Sequence, residues 1–137
     1  MIDLTLEMAE RAVKAAHTKA KALGTVMTVA VVDESGRPVL IARGDGAGFL
    51  STETSKAKAV AAAAFRRSTK ELGEMALKGS AFWAAAPAVM KGEALPSIGA
   101  VPITRGGRVI GAIGCGGGTG DQDHECAVAG AEAVAGV

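Results

Sequence analysis

The chain has 137 residues and a mass of 13.6 kDa, a size typical of one domain, and we expect residues 1–137 to form it. Hydrophobic residues make up 49% of the chain and charged residues 21%, which excludes wholesale disorder. Fifteen basic residues nearly balance 14 acidic ones, so the net charge of +1 provides no basic field for nucleic acid.

The N-terminus shows no basic segment followed by an apolar core, so we expect no signal peptide. The longest apolar run covers residues 81–90, which is shorter than the roughly 20 residues of a membrane-spanning helix. The two cysteines, Cys115 and Cys126, fit neither a zinc knuckle nor a redox pair. The sequence therefore predicts a cytoplasmic protein with free thiols and no membrane span.

The first half of the chain predicts a helix, a hairpin and a second helix. Apolar residues recur at helical spacing through residues 5–23, with Thr5 as the N-cap. Residues 27–33 and 38–43 are typical of two strands joined by a turn. Residues 51–67 form an alanine-rich helix, and we expect another backbone to approach it closely.

The second half predicts a short helix, a second hairpin and a last helix. A capping box at Ser68 and Glu71 predicts a helix to about residue 77, whereas residues 79–92 are ambiguous because Pro87 interrupts them. A Gly-Gly turn joins the next two strands, residues 98–103 and 109–114, and the last helix covers residues 121–137. Hairpins imply antiparallel pairing, so the fold class is α+β.

A glycine loop connects the last strand to the last helix. Gly116, Gly117 and Gly118 precede a helix N-terminus, where backbone N–H groups bind carboxylates, phosphates or haem propionates. The loop carries neither the Walker nor the dinucleotide pattern. The alternative is a sharp turn that needs positive φ angles, and the acidic residues that follow oppose an anion.

The densest titratable cluster is residues 121–125, at the start of the last helix. Asp121, His124 and Glu125 share one helix face and could hold a divalent ion, and Asp123 or His124 could perform acid–base chemistry. The simpler interpretation is that acidic residues favour the first turn of any helix.

Two further side chains are candidates for chemistry. His17 lies at the edge of the apolar stripe of the first helix, where it is either a solvated rim histidine or an axial haem ligand. Cys115 precedes the glycine loop, where it is either a buried space-filling residue or a nucleophile with a lowered pKa.

Three segments, taken together and in order, resemble the GlcG/HbpS family of haem-binding proteins, which includes the C-terminal domain of PduO. They are residues 31–36 with 43–47, residues 55–65, and residues 106–114 with 120–123. The resemblance implies a profilin-like or roadblock-like domain: an antiparallel sheet of about five strands packed with helices. It also implies homo-oligomers.

The resemblance further implies haem as a cofactor, with His17 matching the histidine that ligates haem in PduO-like members. Arg43 or Lys56 could then pair with the propionates, together with the amides of the glycine loop. Aliphatic residues, Phe49, Phe82 and Trp83 would line a pocket between subunits.

Three functional hypotheses follow for this chain. The first is a small oligomeric protein that binds haem or another tetrapyrrole, in haem handling, in sensing or as an accessory to a catabolic pathway. The second is an enzyme acting on a small organic acid, with Cys115, Asp123 or His124 as its catalytic residue and the loop amides on the carboxylate. The third is a structural accessory subunit.

Overall fold

The computed structural model describes residues 2–135, which form five helices and four strands. The helices are α1 (Leu6–Ala22), α2 (Ser51–Phe65), α3 (Thr69–Lys78), α4 (Ala81–Met90) and α5 (Gly120–Glu132). The strands are β1 (Thr28–Asp33), β2 (Pro38–Arg43), β3 (Ala100–Arg105) and β4 (Arg108–Gly116).

The four strands form one antiparallel sheet in the order β2-β1-β4-β3, which confirms the α+β class. The expectation of about five strands is wrong for residues 2–135. Each hairpin supplies two strands, and the elements between the hairpins are helices, so no segment there remains to add a fifth strand. Gly106 and Gly107 both take positive φ angles in the β3–β4 turn, as a tight hairpin requires.

Helices cover both faces of this sheet. Helices α1 and α5 pack on one face over Val29, Val31 and Ile113, while α2 crosses the other face over Val32 and Ala112. This division follows from the alternation of side chains along each strand. Functional side chains on α1 and on α2 therefore lie on opposite faces of the sheet.

Glycine and alanine bring α2 into backbone contact with β4, as its alanine content predicts. A Cβ atom at Gly114 would collide with the carbonyl oxygen of Ser55 and lie 2.9 Å from the backbone nitrogen of Ala59. The small core on this face is otherwise built mainly from buried alanines.

The ends of two helices differ from the sequence expectation. Helix α2 stops at Phe65 because Arg66 has a φ of 57°. The ambiguous segment contains α4, which Ser80 caps by accepting a hydrogen bond from the N–H of Trp83. Helix α5 ends at Glu132, and residues 136–137 lie outside the described residues.

Candidate functional site

His17 is half-buried on α1 and is tied to the start of the sheet. Its Nε2 atom lies 3.2 Å from the carbonyl oxygen of Met27, which also accepts the N–H of Gly44 at 3.0 Å. A Cβ atom at Gly44 would lie 2.6 Å from that oxygen and 3.7 Å from Nε2, so this close approach requires glycine. With Nε2–H donating to Met27, the ring keeps Nδ1 without a hydrogen bond.

A shallow groove of about 510 Å³ runs along α1 beside this imidazole. Its lining consists of six α1 residues and one from the edge strand β2: Glu10, Val13, Lys14, His17, Thr18, Lys21 and Leu40. Val13 and Leu40 make its apolar part. Lys14 and Lys21 flank His17 at helical spacing, and neither forms an ion pair with another described residue.

The other cations expected near His17 lie on the opposite face of the sheet. Arg43 pairs in register with Thr28, whose hydroxyl lies 2.6 Å from that of Ser51 on α2. Lys56 is on α2 itself and lines a separate cleft beside the β1–β2 turn. The structure therefore does not bring Arg43 or Lys56 together with His17.

The aromatic residues also group away from the groove. Phe82 and Trp83 on α4 pack against Phe65 at the end of α2, with ring centroids 6.1 Å and 5.6 Å from that of Phe65. Phe49 is 80% exposed in the connection between β2 and α2. None of the four lines the His17 groove, whose apolar surface is aliphatic.

Two hydrogen-bond donors of the glycine loop bind side chains of α5. Gly116 belongs to β4, and Gly117 has a φ of 128°. The N–H of Gly118 donates to Oδ1 of Asp123 at 2.9 Å, and the N–H of Thr119 donates to Gln122 at 2.9 Å. Two loop amides expected to bind an anion are thus already taken by side chains of α5.

Asp123 and Cys115 are parts of the interior. Asp123 accepts a hydrogen bond at 3.2 Å from Nζ of Lys58, which also donates to the carbonyl oxygen of Cys115 at 3.1 Å. Burial raises the pKa of the Cys115 thiol well above its ordinary value, and the neighbouring Cys126 and Asp123 raise it further. The thiol is therefore not activated as a nucleophile.

His124 is half-buried on α5 and its Nδ1 atom has no hydrogen-bond partner. Burial lowers the pKa of this ring, and nearby Lys70 lowers it further, while Asp121 and Glu125 act in the opposite direction. Within residues 2–135 no group of three histidine, cysteine or acidic side chains could hold a metal ion. The structure thus offers no divalent-ion site at residues 121–125.

Sequence reasoning missed Lys14, Leu40 and the carbonyl of Met27 as neighbours of His17. Lys14 precedes His17 by three residues, so helical spacing alone could have found it. Leu40 and Met27 come from other elements, and their approach depends on how α1 packs against the sheet.

The comparisons with known proteins decide the family. Residues 4–132 match the model of the family described as "Haem degrading protein HbpS-like". The chain belongs to the HbpS-like family. This confirms the resemblance to GlcG/HbpS proteins that the three sequence segments indicated.

Three similar proteins illustrate how far the HbpS-like likeness extends. Protein GlcG of Escherichia coli K12 is 33% identical over 113 residues, which are 82% of this chain and 81% of GlcG. A crystal structure described as the PduOC:heme complex has a TM-score of 0.86 and 27% identity, covering 95% of this chain and 94% of that one. The crystal structure of a double mutant of HbpS from Streptomyces reticuli has a TM-score of 0.81 and 36% identity. The match covers 94% of this chain and 85% of that one.

No helix in the described part of this HbpS-like chain has both the length and the apolar character to span a membrane. Both cysteines are free and buried, as the sequence predicts.

Proposed function

We propose that this protein binds haem in the groove along α1, with His17 as the axial ligand. The observation that carries the proposal is the fixed imidazole: Nε2–H donates to the Met27 carbonyl, and Nδ1 remains without a protein partner. A metal-binding histidine commonly donates its second ring N–H to a backbone carbonyl, which fixes the tautomer and the ring orientation. The HbpS-like family and the haem complex of a structural relative support this proposal.

The residues of the groove fit a haem group. Val13 and Leu40 offer apolar surface for a macrocycle, and Lys14 and Lys21 offer positive charge for its two propionates. Haem, when bound, supplies an iron centre whose properties depend on the axial ligand and its surroundings. These lysines replace Arg43 and Lys56 as the proposed propionate partners.

The shallowness of the groove supports a site completed by a second copy of the chain. One wall comes from α1 and the edge strand β2, and the other side is open. A flat macrocycle lying there is exposed on one face unless another subunit covers it. We therefore propose a homo-oligomer in which haem lies near a subunit boundary, in a cytoplasmic role in haem handling, in sensing or as an accessory to a catabolic pathway.

The enzyme hypothesis lacks an equivalent observation. Its proposed carboxylate donors are partly used by Asp123 and Gln122, and its candidate nucleophile Cys115 is buried with a raised pKa.

Titration with ferric haem, followed in the Soret region, tests the proposal. We expect a saturable shift of the band for the wild type and the loss of that shift for His17→Ala. His124→Ala is the matched control, because it removes the only other histidine. Identical titrations of the wild type and His17→Ala would contradict the assignment of His17.

A second titration tests the role of the flanking lysines. Lys14→Gln and Lys21→Gln should each weaken haem binding by about two- to fivefold, the scale of an exposed ion pair. Lys78→Gln, which removes an exposed lysine outside the groove, should leave the affinity unchanged.

A further inference from the structure

Helix α4 is the most apolar of the five described helices, and it carries no charged residue. Seven of its ten residues are nevertheless exposed, among them Phe82 at 56% and Val89 at 78%. None of its residues belongs to either hydrophobic core cluster of the chain. A helix that is apolar all round is normally buried, so the exposed side of α4 calls for a partner outside this chain.

The helical period divides α4 into two sides. Trp83, Pro87 and Met90 turn toward the rest of the chain, where they line a cavity of about 250 Å³ with Ala76 and Leu95. The opposite side, the outer face, is exposed and has small residues at its centre and two larger ones along one margin: Ala81, Ala84, Ala85, Ala88, Phe82 and Val89. Small residues at the centre allow another helix to approach closely, and the larger ones can pack beside it.

The composition of α4 favours a protein partner over a membrane surface. A helix that lies in a membrane surface combines an apolar face with a strongly polar face, which is commonly rich in lysine and arginine. Helix α4 has no such face, because its ten residues are alanine, proline, valine, methionine, phenylalanine and tryptophan. The partner of the outer face is therefore an uncharged protein surface.

The charges beyond the two ends of α4 favour a second copy of this chain. Lys78 precedes the helix and Glu93 follows it, and neither forms an ion pair with another residue of the described part. The two positions are equally far in sequence from the middle of α4. If two copies of α4 pack antiparallel around a twofold axis at that middle, Lys78 of each copy comes beside Glu93 of the other, and Lys91 comes beside Ser80.

We propose that the outer face of α4 is a homodimer interface, in which two copies pack their α4 helices antiparallel and pair Lys78 with Glu93 across the twofold axis. Helix α4 supplies no residue to the His17 groove, so this interface is separate from the proposed haem site and does not require haem. A chain that uses two different twofold interfaces assembles into at least four copies. A subunit boundary at His17, together with the α4 interface, would therefore give an assembly larger than a dimer.

Crosslinking at the middle of α4 tests the interface directly. Ala85 is exposed and lies near the proposed twofold axis, so Ala85→Cys brings two new thiols together. The native thiols of Cys115 and Cys126 are buried and do not compete for the reagent. We expect a short bismaleimide to convert Ala85→Cys protein without haem into a covalent dimer on a denaturing gel. Val26→Cys, at an exposed position between α1 and β1, is the matched control and should stay monomeric.

Light scattering and sedimentation test the apolar contact and the charge pair separately. Val89→Lys buries a charge without a partner in the interface, so it should raise the dissociation constant at least about a hundredfold and halve the mass of the assembly. Val26→Lys should leave the mass unchanged. Lys78→Glu should raise the dissociation constant about tenfold, because each dimer loses two exposed pairs, and adding Glu93→Lys should restore it.

Three results would overturn the α4 interface. The first is crosslinking of Ala85→Cys no greater than that of Val26→Cys, and the second is equal masses for Val89→Lys and Val26→Lys. The third is binding of the wild type, but not of Val89→Lys, to vesicles of phosphatidylcholine and phosphatidylglycerol without crosslinking of Ala85→Cys, which would assign the outer face to a membrane. Adding His17→Ala to Ala85→Cys should leave the crosslinking unchanged, so failure of the haem proposal is distinguishable from failure of this one.

Discussion

The Nζ atom of Lys58 lies 3.2 Å from Oδ2 of Asp123, joining α2 and α5 from opposite faces of the sheet. The two side chains are only 9% and 4% exposed. A Cβ atom at Gly99 would lie 2.8 Å from Nζ, so the lysine reaches its partner only because residue 99 is glycine. Since Oδ1 of Asp123 also accepts a hydrogen bond from the N–H of Gly118, the Lys58–Asp123 pair connects α2, α5 and the glycine loop.

Removing the carboxylate should destabilise the protein strongly. Asp123→Asn leaves the Lys58 charge buried without an opposite charge, and breaking a buried pair in this way costs about 3–5 kcal/mol. Urea denaturation measures the change in the free energy of unfolding. The control is Glu7→Gln, which breaks an exposed pair with Arg11 and should cost at most about 0.5 kcal/mol. Equal losses for the two variants would show that the buried pair has no special role.

A methyl group at Gly114 should disrupt the contact between α2 and β4. Because Gly114→Ala places a Cβ atom against the Ser55 carbonyl, the helix must move, and we expect a loss of about 1–3 kcal/mol or more. Gly48→Ala is the matched control, since no atom lies within 4 Å of the new methyl group there. Thermal unfolding of both variants checks the prediction, which fails if Gly114→Ala melts at the wild-type temperature.

The two thiols should be unreactive in the folded protein. Burial raises the pKa of Cys126 to about 11, and the negative charges of Asp123 and Glu125 contribute to this rise. The pKa of Cys115 is raised as well. Ellman's reagent should therefore label the native protein slowly near the ordinary thiol pKa of about 8.5 and label both thiols at once after unfolding. Rapid labelling of Cys115 in the native state would restore it as a candidate nucleophile.

Stability should fall in mildly acidic solution because of His124. Burial and Lys70 depress its folded-state pKa below the ordinary 6.5, so the unfolded chain binds a proton at higher pH than the folded protein does. The contribution of neutral His124 to the free energy of unfolding is complete above pH 6.5. It is lost as the pH falls through the folded-state pKa. Urea denaturation at several values between about pH 8 and pH 5 should show a smaller decline for His124→Gln than for the wild type. Parallel declines would show that another group is responsible.

Local sequence signals predicted most of the fold. Thr5 and Ser68 cap the helices that the sequence assigned to them, because capping depends on residues only three positions apart. The hairpins were likewise predictable from their turns. The helix at residues 81–90 remained ambiguous, because Pro87 opposes a helix locally although α4 accommodates it.

The surroundings of the candidate site were less predictable. The sequence singled out His17, and the resemblance offered Arg43 and Lys56 as propionate partners, but within one chain the sheet separates both from His17. Which face a strand residue occupies depends on the pairing register, and a shift of one residue reverses it. The buried pair of Lys58 and Asp123 was equally hidden, since its partners are 65 residues apart in the chain.

Chemical rescue of the proposed iron ligand tests the central claim most directly. His17→Gly removes the imidazole and leaves space beside Met27, so free imidazole can occupy the same position. We predict that His17→Gly gives a haem spectrum different from that of the wild type, and that added imidazole restores the wild-type spectrum. A His17→Gly complex that already has the wild-type spectrum before imidazole is added would contradict the assignment of His17 as the ligand.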